Sequence, residues 1–147
     1  MKRIVAGLIA AGLSATGMIA GAGVAAADVI VAPGQFGHVC SGYQHLPSDP
    51  SLYWQSCAWA DNNEVYFTVH FGNTANYNFV LERVAVNYYK SGVGYLCNSV
   101  PNFSVPAHSV RQTASNVCVL HRSRAAYQSI GFPVGYTAAV SDTLQVQ

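Results

Sequence analysis

Four cysteines, Cys40, Cys57, Cys97 and Cys118, constrain this chain more than any other feature. Successive cysteines lie 17, 40 and 21 positions apart, so the close C-x-x-C pairs typical of structural zinc sites are missing. In an exported chain an even set of cysteines is a disulfide framework. Of the three possible pairings, Cys40–Cys57 with Cys97–Cys118 is the expected one, because each bond then closes a short loop with turn-forming residues inside; the crossed pairings stay open. On the chain-entropy account each closure contributes roughly 3 kcal/mol, a large share of the total stability of a small domain.

The first residues place the chain in an oxidising compartment. Lys2 and Arg3 form a positive head, residues 4–24 are apolar and rich in Ala and Gly, and Ala25-Ala26-Ala27 presents small residues for a signal peptidase. That order describes a secretory signal peptide over residues 1–27, of bacterial type, cut before Asp28. A transmembrane anchor is the competing reading; the many glycines and the A-x-A ending argue against it. One domain is then expected over residues 28–147, with five Lys and Arg against six Asp and Glu. A net charge near −1 lacks the basic field on which nucleic-acid binding depends. The expected product is secreted and monomeric, and does not insert in a membrane once the leader is removed.

Within the first cysteine loop, His45-Leu46-Pro47-Ser48-Asp49-Pro50-Ser51 is dense in turn formers, and both prolines bias the residue before them away from helix. The tip is expected to be irregular and exposed. Tyr53, Trp54 and Trp59 follow on the returning arm and are the candidate binding residues, since Trp and Tyr are favoured anchors at interfaces. Packing beneath the loop as core is the plainer alternative. If the arm is a strand, Leu52, Trp54 and Ser56 share one face and Tyr53, Gln55 and Cys57 the other. A disulfide sulfur tends to be buried, so Tyr53 is expected inward and Trp54 nearer solvent.

The remainder alternates with the period of strands. Val65, Phe67, Val69 and Phe71 face one way and Tyr66, Thr68 and His70 the other. Gly72–Asn76 reads as a turn. Val84, Val86 and Tyr88 share a face of a second long strand, and Lys90-Ser91-Gly92 turns the chain back. Pro101 and Pro106 mark loops or strand edges. Val117–Leu120 reads as a short strand, and Tyr136, Ala138 and Val140 alternate, with Leu144 and Val146 continuing the phase. A single helical turn is expected over Ser123–Gln128. Many short alternating strands with Gly, Pro and Asn turns imply an all-β fold, an antiparallel sandwich or barrel with two disulfides.

The stretch EVYFTVHFGNTANYNFVLERVAVNYYKSG resembles the paired strands of bacterial immunoglobulin-like adhesion and accessory domains over about thirty residues. The resemblance implies an immunoglobulin-like β-sandwich of Greek-key type. The sequence departs from antibody-type domains: Trp59 lies two residues after Cys57 rather than on a later strand, and Asn116 stands where the tyrosine corner would place a Tyr before Cys118. A second resemblance is to small secreted amylase inhibitors of the tendamistat kind, which also have a leader, a β-sandwich and two sequential disulfides. They carry an aromatic–Arg–aromatic triplet roughly where Tyr53-Trp54-Gln55 stands here; the triplet is not matched, and no functional residue carries over.

Catalytic chemistry finds little to stand on. A nucleophilic hydrolase needs a Ser or Cys beside a base; the cysteines are expected to be bonded and no G-x-S-x-G occurs. His38, His45, His70, His108 and His121 show no metal-ligand spacing, and His70 reads as a surface or second-face residue. A glycosidase needs two carboxylates across a cleft; Asp61 and Glu64 instead flank Asn62-Asn63, a turn capped by polar side chains. No catalytic residue, metal site or cofactor is assigned. The leading expectation is a noncatalytic binding or accessory protein of the extracellular space or envelope, meeting an extracellular protein or glycan. A small secreted hydrolase acting on polysaccharide or peptide, and a proteinaceous inhibitor of such an enzyme, are the alternatives.

Overall fold

A computed structural model describes residues 28–147; the leader expected at residues 1–27 lies outside the described residues. The described chain is all-β, in two sheets. The first sheet runs in the order β1 (Val29–Val31), β12 (Leu144–Val146), β10 (Ala125–Pro133), β6 (Phe79–Lys90) and β7 (Val93–Val105), with β11 (Ala139–Val140) paired to β10. The second runs β2 (Gly37–Cys40), β4 (Asp49–Ala60), β5 (Glu64–Asn73) and β8 (Ser109–Gln112), with β3 (Gln44–Leu46) on β4 and β9 (Val119–His121) on β5. The β1–β12 pair is parallel and the other pairs are antiparallel. Among the described residues no helix is long and apolar enough to cross a membrane.

The long hairpins follow from local chemistry. Between β4 and β5, Asp61 Oδ1 accepts the backbone N–H groups of Asn63 and Glu64 at 2.8 and 2.7 Å, closing the turn as its sequence implies. Between β6 and β7, Ser91 and Gly92 both have positive φ, 49° and 82°. That geometry matches the right-handed twist of the strands it joins.

One hydrophobic core takes residues from both sheets: Leu52, Trp54, Phe67 and Phe71 from the second, Val84, Val86, Tyr127 and Leu144 from the first. Val65, Phe67, Val69 and Phe71 all face it, as their alternation requires. The sheets approach closely at β10. A Cβ on Gly131 would stand 2.2 Å from Val69 Cγ2 and 2.9 Å from Ser56 Oγ, and beside it the Ser56 and Ser129 hydroxyls share a buried hydrogen bond of 2.6 Å.

Both disulfides form in the sequential pairing, Cys40–Cys57 and Cys97–Cys118. They do different work. Cys40 and Cys57 are direct partners on the neighbouring strands β2 and β4, with Cα atoms 4.1 Å apart. Cys97 on β7 reaches Cys118, which precedes β9, and so ties the first sheet to the second.

Several expectations are corrected. The tip expected to be irregular is a tight hairpin: β3 and β4 are joined at Pro47-Ser48, and Pro50 lies within β4. The helical turn expected at Ser123–Gln128 is the entry to β10; a 3-10 turn occurs instead at Ser115–Val117. Beyond β10 the phase is offset, with Ala139 buried and Tyr136 and Val140 exposed, because a turn at Gly135 (φ 94°) intervenes.

Candidate binding face

The second sheet turns one face to the core and one away from it, and strand register decides which side chains meet on the outer face. Four cross-strand rows result. His38, Trp59, Tyr66 and Val119 form the first, and Cys40, Cys57 and Thr68 the second. Gln55, His70 and Gln112 form the third, and His45, Tyr53, Gly72 and Val110 the fourth. None of these positions is Asp, Glu, Lys or Arg. A water-facing sheet surface ordinarily carries polar and charged side chains; this one carries rings and amides.

The rings are organised. His38 stacks on Trp59 at 4.4 Å between centroids, and Trp59 lies parallel to Tyr66 at 5.9 Å and to His70 at 6.0 Å. Phe36 tilts against the same indole at 6.1 Å. Trp59 Nε1 donates to Thr68 Oγ1 at 2.9 Å, and Thr68 Oγ1 lies 2.9 Å from His70 Nε2. The threonine oxygen accepts from the indole and links it to the imidazole, donating to Nε2 or accepting from it according to the His70 tautomer. Burial, and then the charge of His38, hold the His70 pKa below its ordinary value, in keeping with a neutral ring. Burial, followed by the negative charges of Asp61 and Glu64, raises that of the Tyr66 hydroxyl, which stays protonated.

At the other end of the face Tyr53 leans across β5. A Cβ on Gly72 would fall 2.0 Å from Tyr53 Cζ and 2.2 Å from its hydroxyl oxygen, so only glycine lets the ring lie down on the sheet there. Tyr43 meets Tyr53 edge-on at 5.2 Å and 88°. A shallow hollow of about 70 Å³ opens between Tyr43, Tyr53, Gln55, His70 and Val110.

Of the three candidate residues, Tyr53 and Trp59 are half-buried on this outer face. Trp54 is not: it is 0% exposed, on the core side against Phe71 and Tyr136. The expectation that Tyr53 turns inward and Trp54 outward is therefore reversed. The reason lies in the disulfide used as a marker of the interior. Cys40–Cys57 joins neighbours within one sheet on its outer face, so Cys57 is buried and Cys40 half-buried without either facing the core. His70 does sit on the second face. Sequence reasoning passed over His38, Gln55 and Tyr66, whose signal is a shared outward parity on paired strands that needs the register to be seen; Tyr43 joins them from the loop between β2 and β3.

Chemistry elsewhere is thin. Three larger hollows, of about 530, 500 and 360 Å³, have no carboxylate side chain in their walls, and the first two share Arg124 and Gln147. A fourth, of about 260 Å³, includes Asp61 and Glu64, but Asp61 is engaged in closing its own turn. Among the described residues no three His, Cys, Asp or Glu side chains are grouped to hold a metal ion. No family model matches the chain, and no curated protein or solved structure shows significant similarity to it.

Proposed function

We propose that this chain is an exported, noncatalytic binding protein that meets an extracellular partner through the outer face of the β2–β4–β5 sheet. The carrying observation is the composition of the four rows on that face: rings at His38, Trp59, Tyr66, His45 and Tyr53, amides at Gln55 and Gln112, and no formal charge, with the carboxylates Asp61 and Glu64 set at the β4–β5 turn beyond Tyr66. Enrichment in Trp and Tyr with depletion of charge marks the core of a recognition surface rather than a solvated one. The hydrogen-bonded Trp59–Thr68–His70 chain holds those rings in place before any partner arrives, which lowers the ordering cost of binding.

The same reading includes a leader removed before Asp28, a secreted product, and an immunoglobulin-like, Greek-key sandwich. Support for the architecture comes from a core shared by both sheets and a chain that passes between them at β1–β2, β5–β6, β7–β8 and β9–β10. Support for export comes from the charged, apolar and A-x-A order of residues 1–27 and from two disulfides. Mass spectrometry of protein recovered from the medium should give an N-terminus at Asp28; an intact Met1 on membrane-embedded protein contradicts it.

The binding reading is tested by retention of the secreted protein on the envelope and matrix fraction of the producing cells. Tyr53→Ser combined with Tyr66→Ser should lower retention at least about tenfold, while Val134→Ser, in the exposed turn after β10, leaves it unchanged. Equal retention of all three proteins, or none of the parent protein, removes the basis for the proposal.

A further inference from the structure

Resting on that reading of the outer face, the geometry points to a ligand class: we propose that the corner formed by Tyr43, Tyr53, Gln55 and His70 binds a sugar unit of a neutral polysaccharide. Four observations converge. Tyr53 lies down across Gly72 rather than standing out from the sheet, so it offers a low ring surface on which the C–H face of a pyranose can rest. Tyr43, 59% exposed and perpendicular to Tyr53, walls one side.

The polar groups beside this floor are neutral and unspent. Among the described residues the Gln55 amide is engaged by no other group, and an amide offers both donors and acceptors. Thr68 occupies His70 Nε2, which leaves Nδ1 to meet a ligand hydroxyl as donor or acceptor according to the tautomer. A hydroxylated ring asks for this mixture of donor and acceptor around an apolar floor.

The absence of charge excludes the commoner anionic ligands. A phosphate, a uronate or an acidic peptide requires Arg or Lys to offset its desolvation, and the four rows contain neither. Peptide recognition by strand addition would fall elsewhere. Both β4 and β5 are hydrogen-bonded to strands on either side, so an added strand would pair at the sheet edges, β2, β3, β8 or β9, and not over the Tyr53–Gln55–His70 corner. Recognition at the corner itself rests on side chains, and the hollow, about 70 Å³, is too small to enclose a protein's aromatic anchor residue. From Tyr53 to Trp59 the strand spans roughly 20 Å, which gives an extended chain of sugars a second ring cluster to follow along β4.

The test is calorimetric titration of the secreted protein with neutral hexasaccharides of the β-1,4-glucan, β-1,3-glucan, α-1,4-glucan, β-1,4-mannan and β-1,4-xylan series, with hexagalacturonate as the charged control. At least one neutral chain should saturate the protein and the uronate should not. Tyr53→Ala and Gln55→Ala should each weaken that binding about tenfold or more, whereas Tyr53→Phe, which keeps the ring, and Val134→Ser, in the turn after β10, stay within about threefold; urea midpoints confirm that each variant folds. If no neutral hexasaccharide binds while envelope retention still depends on Tyr53 and Tyr66, the face recognises another class of partner, such as a protein, and the sugar assignment is wrong. Loss of both signals overturns the binding face itself. Equal binding of hexagalacturonate also defeats the assignment.

Discussion

Trp54 is the largest fully buried side chain, and its indole nitrogen is the one buried side-chain polar atom with no hydrogen-bond partner among the described residues. Two substitutions separate the packing of the ring from the cost of the nitrogen. Trp54→Ala empties an aromatic core site and should cost about 3–5 kcal/mol. Trp54→Phe removes two carbons and the nitrogen. At ~0.8 kcal/mol per buried carbon group the loss is about 1.6 kcal/mol, while deleting an unsatisfied buried donor returns about 1–3 kcal/mol. The two nearly cancel, so Trp54→Phe should fall within about 1 kcal/mol of the parent protein. Urea unfolding followed by far-ultraviolet dichroism, with the slope held constant, measures both. A Phe variant destabilised by about 3 kcal/mol would show that the indole N–H is satisfied in the fold. An Ala variant within about 0.5 kcal/mol, the scale of an ordinary surface change, would refute the core placement.

Other perturbations probe the remaining structure. Gly131→Ala forces a Cβ to within 2.2 Å of the stiff Val69 side chain and should lower stability by about 1–3 kcal/mol; Gly72→Ala meets only the movable Tyr53 ring, so its main effect should be on binding, and calorimetry of both variants distinguishes the two. Because the folded His70 pKa lies below the ordinary 6.5, the unfolded chain takes up the proton first as pH falls below that value, so stability should decline with acidification from about 6.5 downward. His70→Gln should flatten that part of the urea-midpoint profile; an unchanged profile contradicts the neutral-ring assignment. Breaking Cys97–Cys118 by a double Ser substitution should cost roughly 3 kcal/mol and speed amide exchange in β7 and β9, which it links, whereas loss of Cys40–Cys57 should loosen β2 against β4. A nonreducing peptide map with crossed pairs would overturn both statements.

The parts of the fold legible in the sequence are those where side-chain period and burial agree. Val65 to Phe71 reads as a strand because large apolar side chains alternate with Tyr, Thr and His, and the sheet needs that contrast. β10 was hidden for the opposite reason. Its core-facing positions include Ser129 and Gly131, small because β4 and β5 press close there, so the alternation lost its apolar signal and Ala125-Ala126-Tyr127-Gln128 read as a helical turn. The facing of β4 was misjudged because burial was equated with the core. Cys57, disulfide-bonded to its neighbour on the adjacent strand, is buried on the outer face of the sheet. The candidate face shows the same limit: Tyr53 and Trp59 were visible as aromatic residues, but their meeting with His38, Tyr66 and His70 depends on the pairing of three strands, which no local pattern encodes.

The most direct test of the binding face is site-specific photocrosslinking from two exposed apolar positions on different sheets. Val110 is 74% exposed beside the Tyr53 hollow on the second sheet, and Leu96 is 91% exposed on β7 of the first. With p-benzoylphenylalanine placed at either site and the protein bound to the envelope fraction, the account predicts crosslinked partner from Val110 and none from Leu96. Crosslinks from Leu96 with none from Val110 would put the contact surface on the other sheet and contradict it.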